Sequence, residues 1–314
     1  MMLQYLLAAF CFWTRVFTTS IPDVSSTLQN ILKNTDNSNK YTYPTDLTRG
    51  IVPKAFHSHN DYWRDVPFYT ALSYGAMSVE ADVWLINGTL YVGHEISALT
   101  TERTLQSLYI DPILDTISRQ NPSTPFVTSP TKNGVYDTSS TQTLYLFIDV
   151  KTPGPTTWPA VLSALEPLKS LDYLTTYDGS TFTPSVITII GTGNTPLDAV
   201  QSAIPRYAFY DAPIPYLGST FANITANDSP IASTDFEVSF GEVRKEGFND
   251  TQLETLRGQV STAHAKGIMV RYWNQPAWPI NTRNAIWRTL WDEGVDFLNA
   301  DDVAGVAGFW EGTV

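Results

Sequence analysis

The sequence predicts a single (β/α)8 TIM barrel. Eight strand-like apolar runs alternate with helix-like patterns, an order typical of a parallel sheet covered by helices. The chain has 314 residues, and a barrel of this kind needs roughly 250. Polar residues that carry chemistry gather at or near the ends of the first strands, where barrel enzymes keep their active sites. A doubly wound sheet is the alternative, because it shares the same alternation.

The predicted elements follow each other in regular order. The strands are residues 52–56, 78–85, 144–150, 186–190, 207–210, 236–240, 268–273 and 296–299. The helices between them are residues 67–74, 105–118, 158–169, 251–265 and 282–293, several opened by Thr or Pro and closed by Gly. Residues 121–143 and 211–235 are rich in Pro, Ser and Thr and are expected to be long loops. The second loop follows a strand, so we expect it at the catalytic end of the barrel.

The N-terminal segment predicts a secretory route. Residues 1–20 are interpreted as a signal peptide, because their apolar run is interrupted at Arg15 and is shorter than the roughly 20 residues that a membrane span needs. A frayed or membrane-touching N-terminus is the alternative. Residues 21–50 are expected to be an extension that precedes a barrel domain of residues 51–314. The mature protein is therefore expected to be secreted or lumenal.

Two further features agree with this route. The single cysteine, Cys11, lies inside the leader, so the mature chain is expected to have no thiol nucleophile. Glycosylation sequons, which suit a secreted glycoprotein, occur at Asn87, Asn223, Asn227 and Asn249.

Net charge limits the kind of partner. The formal charge is -12 and the pI is near 4.6, which argues against nucleic acid or an anionic membrane held by a general basic field. An anionic substrate would have to be attracted locally, by a metal ion or a buried lysine.

Carboxylates are expected to point into the barrel from two strands. Side chains alternate along a strand, so in SVEADVWL the residues Glu80 and Asp82 share one face and the apolar residues take the other. In LFIDVKT the same parity puts Asp149 and Lys151 on one face. Buried carboxylates require compensation, and a divalent cation with Lys151 would supply it. The alternative for these residues is an internal salt-bridge cluster without a metal.

Three histidines lie close to these acids in sequence. His57 and His59 come at the end of the first strand, and an Asn87-Gly88 turn is expected to bring His94 back over Glu80 and Asp82. The fourth, His264, lies on a helix that ends in Lys-Gly and is expected to be structural.

Together these residues resemble a known family. The order His57-x-x-Asn60, Glu80-x-Asp82, Gly93-His94 and Asp149-x-Lys151 resembles the phospholipase-C-like phosphodiesterase superfamily, including glycerophosphodiester phosphodiesterases and sphingomyelinase-D-type enzymes. The strings HSHNDYWR and VRYWNQPAWPINTRNAIWRTLWDEGVDFLNADDV look most like the fungal altered inheritance of mitochondria protein 6 family, so the likeness covers about residues 52–309. It implies the TIM barrel of phospholipase-C-like type.

The resemblance also implies roles for individual residues. Glu80, Asp82 and Asp149 are expected to bind Mg²⁺, with Ca²⁺ as a second possibility. His57 and His94 are expected to act as acid and base, and Lys151 to contact the phosphate. The implied reaction is cleavage of a glycerophosphodiester or phospholipid-like substrate, by water or by a neighbouring hydroxyl that gives a cyclic product.

Substrate contacts are expected from Asn60, Lys151 and Trp273. Trp273 resembles a tryptophan that lines the site in related barrels, although a core aromatic would have the same pattern. Asp301, after the last strand, is expected either to support the site or to cap the following helix. The expected ligand is a small molecule, with no nucleic acid and no stable membrane span, and the chain is expected to be a monomer.

Two other functions fit parts of the pattern. The His57-x-His59 pair also suggests a metal-dependent amidohydrolase, but such sites need further histidines downstream, and only His264 follows His94. A secreted barrel that binds without catalysis is the second alternative. It is disfavoured because none of the six chemistry-bearing residues is missing.

Overall fold

The computed structural model describes residues 24–35, 38–243 and 247–312. The chain divides into two compact units, Met1–Tyr43 and Pro44–Val314. In the first unit the described helix is Ser26–Thr35, whose apolar side chains Leu28, Ile31 and Leu32 are exposed. The predicted signal peptide lies outside the described residues. Among the residues that are described, no helix is both long and apolar enough to cross a membrane.

The second unit is a parallel barrel, which confirms the predicted fold. Its described strands, in chain order, are Lys54–Ser58, Ala76–Ile86, Leu144–Val150, Ile187–Gly193, Ala208–Tyr210 with Ala212–Pro213, Ile231–Asp235, Met269–Trp273 and Phe297–Ala300. We number them first to eighth. The fifth strand pairs with the fourth through Ala208–Tyr210 and with the sixth through Ala212–Pro213. The first pairs with both the second and the eighth, so the sheet closes on itself.

Helices cover the outside of this sheet. They are Tyr69–Tyr74, Asp111–Gln120, Gly154–Ala164, Glu166–Ser170, Leu197–Ser202, Phe236–Phe240, Asp250–His264, Ile280–Asp292 and Val303–Glu311. Local capping fixes several of their starts. Asn249 and Gln252 form a reciprocal capping box, and the Asp302 carboxylate accepts a hydrogen bond from the Gly305 N–H at 2.9 Å.

Side-chain alternation sorts the sheet into an inner and an outer face. On the third strand Leu146, Ile148 and Val150 pack outward against the helices, whereas Phe147 lies in a smaller apolar cluster inside the barrel. The other buried members of that inner cluster are Ile190, Phe209, Ile231 and Phe297. The barrel interior is therefore apolar at the level of Phe147, and the polar residues of the site lie toward the strands' C-terminal ends.

One predicted strand was wrong. Residues Phe236–Phe240 form a helix, and the sixth strand is Ile231–Asp235, inside the segment that the sequence predicts to be a loop. Phe236 and Phe240 are both buried and lie one helical turn apart, while Val238 is exposed. An i, i+4 pair looks like strand alternation when five residues are seen alone. Asp235 decides the outcome, because its carboxylate accepts hydrogen bonds from the backbone of Glu237 and Val238 and starts the helix.

The other boundaries shift by a few residues. The predicted helix 158–169 is two helices, Gly154–Ala164 and Glu166–Ser170. Residues 121–143 are irregular except for a 3₁₀ turn at Asp137–Ser139, as expected for a loop. This loop leads into the third strand, so it lies at the end of the barrel opposite the strands' C-terminal ends.

Arg206 links two parts of the chain. They are the helix Leu197–Ser202, which precedes the fifth strand, and the segment between the fifth and sixth strands. The buried Arg206 guanidinium donates to the carbonyls of Val200 and Gln201 at 2.8 and 2.9 Å, and to the Asp228 carboxylate at 3.0 Å. A single ammonium could not reach these acceptors with the same fork geometry.

We therefore expect Arg206→Lys to lower the free energy of unfolding by about 1 to 3 kcal/mol. Urea denaturation measures this change. Arg119→Lys is the matched control, because Arg119 is an exposed residue paired with Asp115 four residues earlier, and it should not shift the midpoint. Equal midpoints for the wild type and Arg206→Lys would contradict the role given to Arg206.

Candidate active site

The polar residues of the barrel interior converge on one cavity at the C-terminal ends of the strands. The cavity has a volume of about 600 Å³. It is lined by His59, Asn60, Trp63, Glu80, Asp82, His94, Asp149, Lys151, Thr192, Gly193, Arg271, Trp273, Asn274 and Asp301. With the exception of His57, every site residue predicted from the sequence lies in this lining.

Neighbouring strands bring three carboxylates together. Asp82 on the second strand lies directly beside Asp149 on the third, and Glu80 lies two residues deeper on the same face as Asp82. One oxygen from each carboxylate lies within 4.8 Å of the others. Within the part of the chain that the structure describes, this is the only group of three or more Asp, Glu, His or Cys side chains close enough to hold a metal ion.

Crowding and burial set the ionisation of these groups. Burial, followed by the charges of Glu80 and Asp149, raises the pKa of Asp82 to about 6. Burial also raises the pKa of Asp149. The Lys151 ammonium donates to Asp149 Oδ2 at 2.7 Å and lies 3.0 Å from Asp82 Oδ2. An all-oxygen set with excess negative charge fits a hard divalent cation such as Mg²⁺ or Ca²⁺.

Glu80 has a different environment from Asp82. Although burial opposes it, the nearby imidazoles of His59 and His57 and the charge of Arg271 hold the pKa of Glu80 well below its usual range. The backbone N–H of Asn60 also donates to Glu80 Oε2 at 3.0 Å. Glu80 is therefore ionised, and groups at the end of the first strand and just after it hold its carboxylate in place.

A hairpin brings His94 to the carboxylates, as the Asn87-Gly88 turn predicts. The second strand pairs antiparallel with Thr89–Val92, and both turn residues have positive φ. His94 Nδ1 then lies 3.3 Å from Asp82 Oδ2 and 3.1 Å from the Tyr62 hydroxyl. The Tyr62 O–H donates to Asp82 at 2.7 Å, so Tyr62 and Asp82 together hold the ring of His94 beside the carboxylate cluster.

His57, on the first strand, and His59, just after it, lie at different depths. His59 lines the cavity, with Nδ1 2.9 Å from Asp301 Oδ1 and Nε2 3.7 Å from Glu80 Oε2. Burial lowers the pKa of His59, but the charges of Glu80 and Asp301 outweigh that effect and raise it. Asp301 thus supports the site, and its neighbour Asp302 caps the helix.

His57 is fully buried below the cavity. Its Nδ1 is 2.7 Å from Ser78 Oγ, its Nε2 is 3.6 Å from Glu80 Oε2, and its ring makes a T-shaped contact with Phe147 at 4.8 Å between centroids. Burial, followed by the charge of Arg271, lowers the pKa of His57 to about 3. The geometry therefore does not support the predicted choice of His57 as the histidine that meets substrate.

Arg271 and Asp211 belong to the site but are missing from the sequence-based set. Arg271 projects inward from the seventh strand, donates to Ser233 Oγ and Asn299 Oδ1 at 2.9 Å each, and lies over the ring of Phe147. Its guanidinium is 3.7 Å from the buried Asp211 carboxylate. The sequence does indicate Arg271. Side chains alternate along a strand, so Arg271 must share the face of Trp273, which is expected to contact the substrate.

The inward-facing charges give a simple balance. Glu80, Asp82, Asp149 and Asp211 are opposed by Lys151 and Arg271, which leaves an excess of two negative charges that one divalent cation would cancel. His59 and Asp301 form a separate pair.

A parallel barrel with a polar cavity at the C-terminal ends of its strands has the architecture of a TIM-barrel enzyme. The model of the AIM6-like phosphodiesterase domain matches residues 45–211. Altered inheritance of mitochondria protein 6 homolog from Arthroderma benhamiae is 54% identical over 91% of this chain and 93% of that protein. The chain therefore belongs to the AIM6-like phosphodiesterase family.

More distant relatives have the same name. Altered inheritance of mitochondria protein 6 from Eremothecium gossypii is 36% identical over 84% of this chain and 71% of that protein. The Saccharomyces cerevisiae protein is 33% identical over 85% and 74%. A solved structure, phosphatidylinositol-specific phospholipase C from Listeria monocytogenes, covers 86% of this chain and 94% of its own, with a TM-score of 0.45 and 12% identity.

Gly193, at the end of the fourth strand, makes room for Asp149. Its φ is +63°, and a Cβ there would overlap the Asp149 carboxylate and lie 2.9 Å from the Val150 carbonyl oxygen. Any larger residue must therefore displace the Asp149 carboxylate.

For a divalent cation held by Asp149, with Mg²⁺ as the probe, we expect Gly193→Ala to weaken binding by about tenfold or more, although no ligand is removed, because support around a metal site typically has effects of this size. Isothermal titration calorimetry measures the affinity. Gly88→Ala is the control, since Gly88 also has positive φ but has nothing within 4 Å of the added Cβ. If both variants bind Mg²⁺ like the wild type, Gly193 does not position Asp149 for a metal.

Proposed function

We propose that this protein is a metal-dependent phosphodiesterase that acts on a glycerophosphodiester or a phospholipid-like substrate. One observation carries the proposal: the buried carboxylates Glu80, Asp82 and Asp149 share a cavity with Lys151 and two histidines. Anionic ligands for a hard cation and basic groups for a phosphate are the combination that phosphoryl chemistry requires. Family membership agrees with this chemistry.

Glu80, Asp82 and Asp149 would hold the cation, with Mg²⁺ as the preferred ion. A cation bound there supplies a positive charge that stabilises the negative charge on phosphoryl oxygens. Lys151 lies between two of these carboxylates and points its ammonium into the cavity, where it can bind a phosphoryl oxygen. Arg271 adds a fixed guanidinium to the cavity wall, and we assign it to the phosphate as well.

His59 and His94 divide the proton transfers. One accepts the proton from the attacking hydroxyl while the other donates a proton to the oxygen that leaves phosphorus, so the histidine pair loses no net proton. The attacking group is a hydroxyl of the substrate or a water molecule. A substrate hydroxyl next to the phosphate is already positioned, which favours a cyclic phosphate as the first product.

Other lining residues shape the substrate site. Asn60 and Trp273 lie in the cavity wall, and we propose that they contact the substrate as the sequence predicts. Trp63 packs against the ring of His94 with ring centroids 5.5 Å apart. This contact holds the histidine at the cavity wall, which Trp63 also lines.

The amidohydrolase alternative loses support in this geometry. The Nε2 atoms of His57 and His59 both face Glu80 Oε2, at 3.6 and 3.7 Å, but among the described residues the group close enough to hold a metal ion consists of carboxylates and contains no histidine. The non-catalytic alternative remains the second candidate, and turnover decides between it and a phosphodiesterase.

The test of the proposed function is a panel of phosphodiesters measured with Mg²⁺ and with chelator. We expect turnover only with the metal, and phosphorus NMR of the early reaction should show a cyclic phosphate from substrates with a neighbouring hydroxyl. Asp82→Asn with Asp149→Asn should abolish both Mg²⁺ binding and turnover, because Asn keeps the size but removes the charge.

Glu95→Gln is the matched control for that variant. Glu95 is an exposed carboxylate next to His94, so its loss should leave metal affinity unchanged. Chelator-resistant turnover, or unchanged calorimetry in the double variant, would remove the metal from the proposal. A folded, Mg²⁺-bound protein that cleaves no diester of the panel would favour the binding protein.

The two histidines of the first strand give a separate prediction. His59→Gln should lower kcat by about 100-fold or more, the usual effect of losing an acid or base. His57→Gln should mainly lower stability, because His57 supports Glu80 from below the cavity. Steady-state kinetics and thermal unfolding on both variants check this. If His57→Gln loses activity with unchanged stability while His59→Gln stays active, then His57, and not His59, is the histidine that transfers a proton.

A further inference from the structure

His94 lies on the loop that follows the hairpin of the second strand, and 46% of its side chain is exposed. A side chain in such a place has several rotamers available to it, so its ring must be fixed if it is to transfer protons in one geometry. Two neighbours contact the ring from the turn Asp61–Trp63. The Tyr62 hydroxyl lies 3.1 Å from His94 Nδ1, and the Trp63 ring makes a T-shaped contact with the imidazole.

The turn that carries Tyr62 is itself held firmly. The buried Asp61 carboxylate accepts hydrogen bonds from Ser58 Oγ at 2.7 Å and from the Phe68 N–H at 2.6 Å. The Tyr62 carbonyl accepts a hydrogen bond from the Arg103 guanidinium, and only 2% of Tyr62 is exposed. A buried side chain on such a turn has little freedom to reorient. Its hydroxyl is therefore a fixed point against which an imidazole on an exposed loop can be oriented.

A count of hydrogens indicates which nitrogen of His94 is protonated. The Tyr62 phenol has one hydrogen and keeps it, because burial, followed by the charge of Asp82, raises the pKa of Tyr62 well above its usual value. Two acceptors already compete for that hydrogen, Asp82 Oδ2 at 2.7 Å and Asn60 Oδ1. The hydrogen between Tyr62 and His94 must therefore come from the imidazole. Nδ1 of His94 is then protonated, and in the neutral ring Nε2 is the nitrogen that can accept a proton.

Tyr62 is a better partner for the imidazole than Asp82 is. Three donors lie near Asp82 Oδ2, namely Tyr62 at 2.7 Å, Lys151 at 3.0 Å and His94 at 3.3 Å. A carboxylate oxygen has two lone pairs, so the longest of three such contacts is the weakest. The Tyr62 oxygen keeps its lone pairs when it donates its hydrogen, and it accepts from His94 Nδ1 at the shorter distance of 3.1 Å. The orientation of the imidazole therefore depends mainly on Tyr62.

We propose that Tyr62 is a positioning residue for His94, which holds the imidazole hydrogen on Nδ1 and leaves Nε2 for proton transfer at the cavity. The inference rests on the proposed function, since it names the nitrogen through which His94 would take part in the reaction. Tyr62 is not among the residues that line the cavity, so we assign it no contact with the substrate. A phenylalanine would fill the same space but could not accept the hydrogen bond from the imidazole.

The test variant is Tyr62→Phe, which removes only the hydroxyl. Tyr136→Phe is the matched control, because Tyr136 is fully buried and its hydroxyl donates to the Ala76 carbonyl at 2.6 Å, at the start of the second strand and away from the cavity. Each variant loses one buried hydroxyl, and thermal unfolding establishes that both are folded. Two-bond proton–nitrogen NMR of protein labelled at the histidine nitrogens reports the tautomer of each ring at about pH 8, above the ordinary imidazole pKa. A His94→Gln sample identifies the signals of His94.

We expect His94 to carry its hydrogen on Nδ1 in the wild type and in Tyr136→Phe, and to show a mixture of both tautomers in Tyr62→Phe. With Mg²⁺ and a soluble phosphodiester, Tyr62→Phe should lower kcat about tenfold or more and leave KM unchanged, because proton transfer depends on the ring and substrate contact does not. Calorimetry should give equal Mg²⁺ affinities, since all three carboxylates remain. Added to His94→Gln, Tyr62→Phe should have no further effect on kcat.

Three results would overturn the inference. Retention of the Nδ1–H tautomer in Tyr62→Phe would mean that Asp82 alone orients the ring. Loss of Mg²⁺ affinity in parallel with kcat would mean that Tyr62 acts through Asp82, and multiplying effects in the double variant would mean that Tyr62 and His94 act independently.

The positioning role and the proposed function fail differently, because the tautomer is measured without substrate. A tautomer change in a protein that cleaves no diester removes only the phosphodiesterase. Turnover of diesters with the same tautomer in Tyr62→Phe and the wild type removes only the role of Tyr62.

Discussion

Repulsion among Glu80, Asp82 and Asp149 governs the residues around them. Barrel closure puts the three carboxylates at one end of adjacent strands, where water cannot screen them fully. The protein compensates unevenly. Glu80 faces His59, His57 and Arg271 and has a lowered pKa, whereas Asp82, two residues further on, has a raised pKa because it is buried and carboxylates flank it. The least compensated charge therefore lies beside Asp149, toward the open cavity, which is where a cation would gain most.

The apolar interior below the site makes this arrangement stable. Phe147 forms its floor, with the edge of the His57 ring and the guanidinium of Arg271 packed against it. Because interiors are close-packed, a fixed floor gives Arg271 and Glu80 little freedom to reorient. Positioning and stability thus share residues in this layer, whereas His59 and His94 lie above it and are freer to serve chemistry.

The alternation of side chains along a strand explains which site residues the sequence could predict. Glu80, Asp82, Asp149 and Lys151 were placed together because alternation needs no tertiary information. The same rule applied to the seventh strand would have added Arg271. The depth of each histidine in the barrel was not predictable, because alternation gives His57 and His59 the same side. The register of the first two strands puts His57 beside Ser78, and this register sets which histidine reaches the cavity. Phe236–Phe240 was misassigned for a related reason, since five residues do not distinguish alternation from one helical turn.

Overall charge and local charge act over different distances. At physiological ionic strength screening sets in within about 8 Å, so the net charge of -12 opposes approach of an anion but does not control events inside the cavity. The proposed recognition of a phosphate would then depend on groups that could touch it, Lys151 and Arg271 among them. Both are held by carboxylates, at 2.7 Å for Lys151 with Asp149 and 3.7 Å for Arg271 with Asp211, so neither is a free cation until a phosphate or a metal ion changes the balance. In the proposed function, the acidic surroundings would make phosphate binding depend on the cation, because a bound divalent ion would leave Lys151 free of the carboxylates that it otherwise neutralises.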